Sequence, residues 1–331
     1  MVNAVEPPPQ AHRISVVIPV YQGEKTLPHV AAEVAAYATP STTPDGHPFV
    51  VTELLLVHDN GPDGSDQTIR DLQATYDFVR PVWLSRNYGQ HPATLAGMAS
   101  STGDWIVTLD EDGQHDPADM GAFLDMALRE QAQVVYADPT NLPPHGFLRN
   151  AASKGAKWVF GSILSQGAQA SFQSYRLILG EVGRSVAAYA GAGVYLDIAL
   201  QWIAGSAAFC PVELRSEDRP SGYSLRRLLS HFWRLVLSSG TRGLRIVSGL
   251  GVLIAVFGVA AAVYLVIATA TNATVPQGWT SSIVVQLLGT GLILFSLGVI
   301  AEYIGVAVNM AMGKPIYVIV SDPKAGPLGR T

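Results

Sequence analysis

Residues 105–112 read WIVTLDED. A short apolar run rich in β-branched and aromatic residues predicts a strand buried on both faces, and here it ends abruptly in three acids. Working outward, the same kind of run recurs at 14–21 (ISVVIPVY), 50–59 (VVTELLLVHD), 79–85 (VRPVWLS) and 133–138 (QVVYAD). Helical stretches separate the runs, over 24–38, 65–76, 92–101 and 118–130. Strands that alternate with helices predict an α/β domain with a mostly parallel sheet covered on both faces. The segment 40–48 (PSTTPDGHP) reads as an exposed loop.

In such sheets ligands bind at the carboxyl ends of the strands. No GxGxxG follows the first run and no GxxxxGK[ST] occurs anywhere, which disfavours nicotinamide, flavin and P-loop chemistry. What the strand ends carry is acid: Asp59 after the second run, and Asp110, Glu111 and Asp112 after the fourth. If the strand stays extended, Asp110 and Asp112 present their carboxylates on one side. Hard oxygen donors of that kind suit Mg2+ or Mn2+, which bind one or two carboxylates and complete their shell with substrate phosphates.

Only 14% of the 331 residues are charged, against about 25% in an ordinary soluble protein. The net charge of −5 hides an asymmetry. Residues 1–218 carry a net −12, residues 219–245 carry six arginines and no acid, and residues 246–301 carry no charge at all. The runs 246–269 and 283–301 reach about 36 and about 28 Å as helices, enough for a hydrocarbon core of about 30 Å. They predict a transmembrane hairpin over 246–308, with its spans at 246–269 and 283–305. Arginines before the first span and Lys314 after the second place both ends on the cytoplasmic side of the plasma or inner membrane. Within 219–245, residues 224–238 (SLRRLLSHFWRLVLS) set their leucines on one helical face beside Arg226, Arg227 and Arg234, as in a basic helix lying in the headgroup layer. Residues 1–13 have no apolar stretch of the signal-peptide kind and are expected to be disordered, and 309–331 reads as a cytoplasmic tail. The single cysteine, Cys210, excludes an internal disulfide and reads as core packing.

Several stretches together resemble the membrane-anchored family 2 glycosyltransferases that move sugars onto polyprenyl phosphate. They are VVIPVYQGEKTL (16–27), VHDNGPDGS (57–65), LSRNYGQHPATLAGM (84–98), GDWIVTLDEDGQHDP (103–117), SGYSLRRLL (221–229) and LGVIAEYIG (297–305). The resemblance covers about 14–317. It implies a GT-A domain over 14–218, a UDP- or GDP-linked sugar donor, a divalent metal (Mg2+ or Mn2+), a lipid bilayer and a role in cell-envelope glycan synthesis. It puts Pro19, Tyr21 and Glu24 in the nucleotide pocket and Asp59 against the base or ribose. Asp110 and Asp112 match the metal and diphosphate motif, with Gln114 as a third polar group toward the metal and Asp112 carrying catalysis. Arg86 and Arg149 fall where bases near the donor diphosphate occur. Arg176, Arg226 and Arg227 are expected to meet the acceptor phosphate.

The chain also departs from the family pattern. His58 replaces the first acid of VDDGS, and Gly222 replaces the lysine of SKYS. Many relatives carry an Asp in a TGDFR-like segment, proposed as the base; here the segment is ASFQSYR (170–176), with Ser171 or Ser174 at that place. Asp197 is the nearest later carboxylate, matching an acid in some relatives, and is the candidate to replace it. A phosphate monoester is mostly a dianion at neutral pH and attacks without a base, whereas a sugar hydroxyl needs one. The missing base therefore fits a lipid-phosphate acceptor at least as well as a sugar acceptor, and the activity that the resemblance implies is inverting transfer to polyprenyl phosphate. The alternatives are transfer to another membrane glycolipid, or a non-catalytic adaptor with a degenerate transferase domain. Self-association is left open, and no nucleic-acid partner is expected.

Overall fold

The computed structural model describes residues 11–141, 173–191, 194–215 and 278–326, with isolated helical positions at 251, 253, 256, 260, 263 and 267. The chain divides into two units. The first comprises Met1–Ala152, Ala170–Tyr223 and Pro315–Thr331, and the second Ser153–Gln169 and Ser224–Lys314.

The first unit is built on one sheet in the order β8-β6-β7-β5-β1-β3-β4-β9, with β2 beside β3. Its strands are β1 His12–Val20, β2 Ser41–Thr42, β3 Pro48–His58, β4 Val79–Leu84, β5 Trp105–Thr108, β6 Val134–Pro139, β7 Arg176–Leu179, β8 Ala207–Val212 and β9 Ile319–Val320. The pairs β1–β3, β1–β5, β3–β4 and β6–β8 are parallel. Strand β7 runs antiparallel between β5 and β6, and β9 and β2 are antiparallel edge additions. All five expected strands form. Their continuous apolar character follows from helices on both faces: Val16 and Ile18 pack with α1 (Leu27–Ala35), α2 (Ser65–Thr75) and α4 (Met120–Glu130), while Val17 packs with α3 (Gln90–Ser100), α5 (Gly180–Tyr189) and α6 (Leu196–Ile203). Cys210 is buried in β8, as expected of a core thiol.

Strand β5 ends at Thr108, sooner than expected. Residues 111–113 form a turn, so the spacing of Asp110 and Asp112 is not that of an extended strand. The C-terminal tail also differs from a simple tail. Ile319 and Val320 pair with Leu84 and Trp83, and Ser85 N donates to the Val318 carbonyl at 3.0 Å. Arg70 grips Asp322 with two hydrogen bonds, at 2.8 and 2.6 Å. The edge of β4 is thereby covered, which removes a row of unpaired backbone groups from solvent.

Of the second unit, the main described element is α7, Trp279–Ala311, a helix of 33 residues. Val285, Ile293, Leu294, Phe295 and Leu297 on it are each more than half exposed, as are Leu253, Val256, Val263 and Ile267. Counting only the described residues, no helix is long and apolar enough to cross a membrane. The span expectation therefore rests on the uncharged runs of the sequence. The helix expected over 224–238, with Arg226 and Arg227, lies outside the described residues.

Candidate active site

Four loops meet at the carboxyl ends of the central strands, and acids join them in a closed ring. Loop one (21–26) follows β1, loop two (59–64) follows β3, loop three (85–89) follows β4, and loop four (109–116) follows β5. Asp63 and Glu24 link loops one and two: Glu24 N donates to Asp63 Oδ2 at 3.1 Å, and Gly64 N donates to Glu24 Oε2 at 3.0 Å. Gly23 N adds a bond to Ser65 Oγ at 2.9 Å. Asp59 links loops two and three, because Tyr88 N and Gly89 N each donate to its carboxylate at 2.7 Å. Loops three and four are linked by Gln90, the first residue of α3, whose Nε2 donates to Asp110 Oδ1 at 2.7 Å. Glu111 closes the ring from loop four to loop one, accepting from Tyr21 N at 2.8 Å and Gln22 N at 2.9 Å. Carboxylates that accept backbone N–H groups make charge-assisted bonds about twice as strong as neutral ones.

The close approach of these loops requires Gly61. A Cβ there would lie 1.6 Å from the Tyr21 carbonyl oxygen. Any side chain at 61 would force loop two off loop one. Asn60 beside it has φ 52°, a conformation that Asn tolerates better than most residues.

The expected pocket residues Pro19, Tyr21 and Glu24 stand at this end of β1, with Pro19 half-buried and Tyr21 exposed by 41%. Asp59 differs from expectation. It is only 3% exposed and both its oxygens accept from amides of loop three, so it holds that loop in place. Burial pushes its carboxyl above the ordinary value, against the two amides and Arg86, which favour the charged form. Arg86 is exposed and its guanidinium lies 4.2 Å from the Tyr88 ring centre. Arg149 lies outside the described residues.

Asp110 and Asp112 sit on the turn of loop four. Asp110 Oδ2 accepts from Ser174 Oγ at 2.5 Å, and Asp112 Oδ1 from Gln114 N at 3.0 Å. Burial, and then the neighbouring charge of Asp110, push the Asp112 carboxyl upward. Beneath them His115 accepts from Asp110 N through Nδ1 at 3.1 Å and stacks on Tyr175; burial lowers its pKa, against the charges of Asp110 and Asp112. Among the described residues no three His, Cys, Asp or Glu side chains form a ready-made metal cage. Two mutually repelling carboxylates with oxygen donors nevertheless fit a hard divalent cation that takes its remaining ligands from phosphates. Gln114 is half-buried on the same turn.

Arg176 and Asp197 are corrected by the structure. They form an ion pair with both side chains less than a tenth exposed, and Arg176 Nε also donates to Thr108 Oγ1 at 3.2 Å. A guanidinium so enclosed does not meet an acceptor phosphate, and a carboxylate so paired is not a general base. Removing one partner of a buried pair costs about 3–5 kcal/mol, so Arg176→Ala reports on folding before it reports on binding. Ser174 is placed beside Asp110, so of the two serines it is the one seen at the site; Ser171 lies outside the described residues. The sequence reading also missed Gln90, Glu111 and Asp63 as loop links, although all three lie inside quoted motifs.

Residues 15–173 match glycosyl transferase family 2. Over these residues the chain is similar to the catalytic domains of that family. Along nearly its whole length it is similar to the SfII prophage-derived bactoprenol glucosyl transferase of Shigella flexneri, with 25% identity over 322 residues, covering 95% of this chain and all of that protein. It is likewise similar to the bactoprenol glucosyl transferase of Shigella phage SfX, with 26% identity over 316 residues, covering 93% and 99%. Among solved structures, mannosyl-3-phosphoglycerate synthase from Rubrobacter xylanophilus shares the fold at a TM-score of 0.50 and 14% identity, over 70% of this chain and 74% of that one. The first unit thus has the α/β fold, mostly parallel, that the alternation of strands and helices predicts.

Proposed function

We propose that this family 2 glycosyltransferase moves a sugar from a nucleotide-sugar to the phosphate of a membrane polyprenol. The observation that carries the reading is Ser174 beside Asp110, where a hydroxyl and not a carboxylate stands next to the metal motif. Asp197, the other candidate base, is held by Arg176. Among the described residues neither candidate position offers a free base, which suits an acceptor that arrives already ionised. The end-to-end similarity to proteins named bactoprenol glucosyl transferase supports the same acceptor class.

In this mechanism the ring of loops fixes the donor nucleotide, with Tyr21 exposed at its edge. Asp110 and Asp112 would hold Mg2+ or Mn2+, which neutralises charge on the departing diphosphate. An acceptor phosphate oxygen forms a bond to the anomeric carbon from the opposite side while the bond to the diphosphate oxygen breaks. The diphosphate leaves with the electron pair, and the configuration inverts. Gln90 and Ser174 keep Asp110 in one orientation throughout. Arg226 and Arg227 stand in an acid-free stretch before the first uncharged run, where a lipid phosphate at a bilayer surface would be met. The runs 246–269 and 283–301 anchor the chain as a hairpin with the catalytic domain on the cytoplasmic face. Support comes from their lack of charge and from the exposed apolar side chains along α7.

The test compares polyprenyl phosphate with the corresponding polyprenol as acceptors for purified full-length protein, across UDP- and GDP-sugars. Transfer to the phosphate alone is expected. Transfer to the alcohol at a similar rate would contradict the reading, because it requires a base.

A further inference from the structure

Three consecutive acids on loop four have three separate destinations. Asp110 faces Gln90 and Ser174, and Asp112 caps the amide of Gln114. Glu111 turns away from both and reaches the backbone of loop one, where its two oxygens accept from Tyr21 N and Gln22 N. The extra methylene of Glu makes that reach, and the backbone is shaped to receive it. A Cβ at Gly23 would stand 2.8 Å from Glu111 Oε2 and 2.8 Å from Leu27 Cγ. Loop one therefore closes over the carboxylate only because residue 23 has no side chain.

We infer that Glu111 is a positioning residue for the donor site, fixing loop one to the turn that carries Asp110 and Asp112. This rests on the donor-site reading above and deepens it. The middle acid of the D-x-D spacing takes no part in binding the cation. It makes the nucleotide loop and the diphosphate turn one body, so the pocket is set before the donor arrives. Pre-set geometry lowers the ordering cost of binding, so loss of Glu111 weakens nucleotide affinity more than it weakens cation affinity.

The experiment uses full-length protein in detergent and the variants Glu111→Ala and Glu111→Gln. Three quantities are read: binding of Mn2+ alone, by the loss of the free-ion EPR signal; binding of UDP and of GDP with Mn2+ present, by calorimetry; and hydrogen exchange of peptides spanning 14–27. For Glu111→Ala the nucleotide Kd is expected to rise tenfold or more, with exchange in 14–27 at least tenfold faster and Mn2+ affinity within threefold of wild type. Glu111→Gln keeps one good acceptor and recovers part of both losses. Unchanged exchange in a folded Glu111→Ala protein overturns the inference. Loss of Mn2+ binding with normal exchange also overturns it, making Glu111 a cation ligand instead. If the wild-type protein binds neither UDP nor GDP, the donor reading fails, and the exchange of 14–27 still decides the role of Glu111. If Glu111→Ala does not fold, the Gln variant carries the same readouts.

Discussion

At the residue scale, the acids of this protein divide by what their oxygens touch. Asp112 stands on the turn of loop four with Asp110, where only its Oδ1 is taken up, by the Gln114 amide. Replacing it with Asn keeps the bond to the Gln114 amide and removes a repulsion. Asp112→Asn is therefore expected to leave the melting temperature unchanged or slightly raised while transfer falls at least a hundredfold, checked by thermal unfolding beside a turnover assay. Glu53 has the opposite character. It is 3% exposed and accepts from Ser15 Oγ at 2.7 Å, from Thr102 N and Oγ1 at 2.5 and 2.9 Å, and from Arg80. Burial pushes its carboxyl up, but these donors outweigh burial and hold it below the ordinary 4.5. A depressed carboxyl stabilises the fold above its unfolded value, and that contribution is lost as pH falls from 4.5 through the lower folded value. Glu53→Ala strands several donors and should cost roughly 2–4 kcal/mol at pH 7. The difference from wild type should shrink below pH 4.5, and chemical unfolding at pH 7 and pH 3.5 measures it.

At the scale of elements, the sequence was most readable where burial is uniform. Runs such as ISVVIPVY have no polar face, so strand is the natural reading, and β1, β3, β4, β5 and β6 follow. The destinations of the acids were not readable, because the amide of Tyr21 and the carboxylate of Glu111 meet although they are 90 positions apart. The pairing of Arg176 with Asp197 was hidden for the same reason. Strand β9 was missed because two residues make no periodic signal, and only the edge of β4 gives them a place. That element yields its own prediction. The Arg70 guanidinium bridges Asp322 to Asp66, where Asp66 is held down to about 2 chiefly by its bond from Arg70. Asp322→Ala should lower the melting temperature by about 2–4 °C at low salt, the size of roughly 1 kcal/mol in a domain of this length. The loss should shrink in 1 M salt, where exposed pairs are screened. No change at low salt would mean that β9 alone holds the tail.

At the scale of the whole molecule, the proposal divides the work between a donor-binding unit and a membrane hairpin over 246–308, uncharged up to Glu302. Deleting residues 246–308 should spare binding of UDP or GDP and abolish transfer to long-chain polyprenyl phosphate in vesicles. Full transfer by the shortened protein would reduce the hairpin to an anchor. The central claim is that an ionised phosphate attacks the anomeric carbon directly, in a site where Ser174 stands beside Asp110 and Asp197 is engaged by Arg176. One measurement tests it most directly: the anomeric configuration and mass of the product formed by full-length protein from an α-linked nucleotide-sugar and polyprenyl phosphate. The account predicts a single β-linked sugar phosphodiester of the lipid. A product that retains the α configuration would contradict direct displacement, and free sugar as the only product would contradict the acceptor.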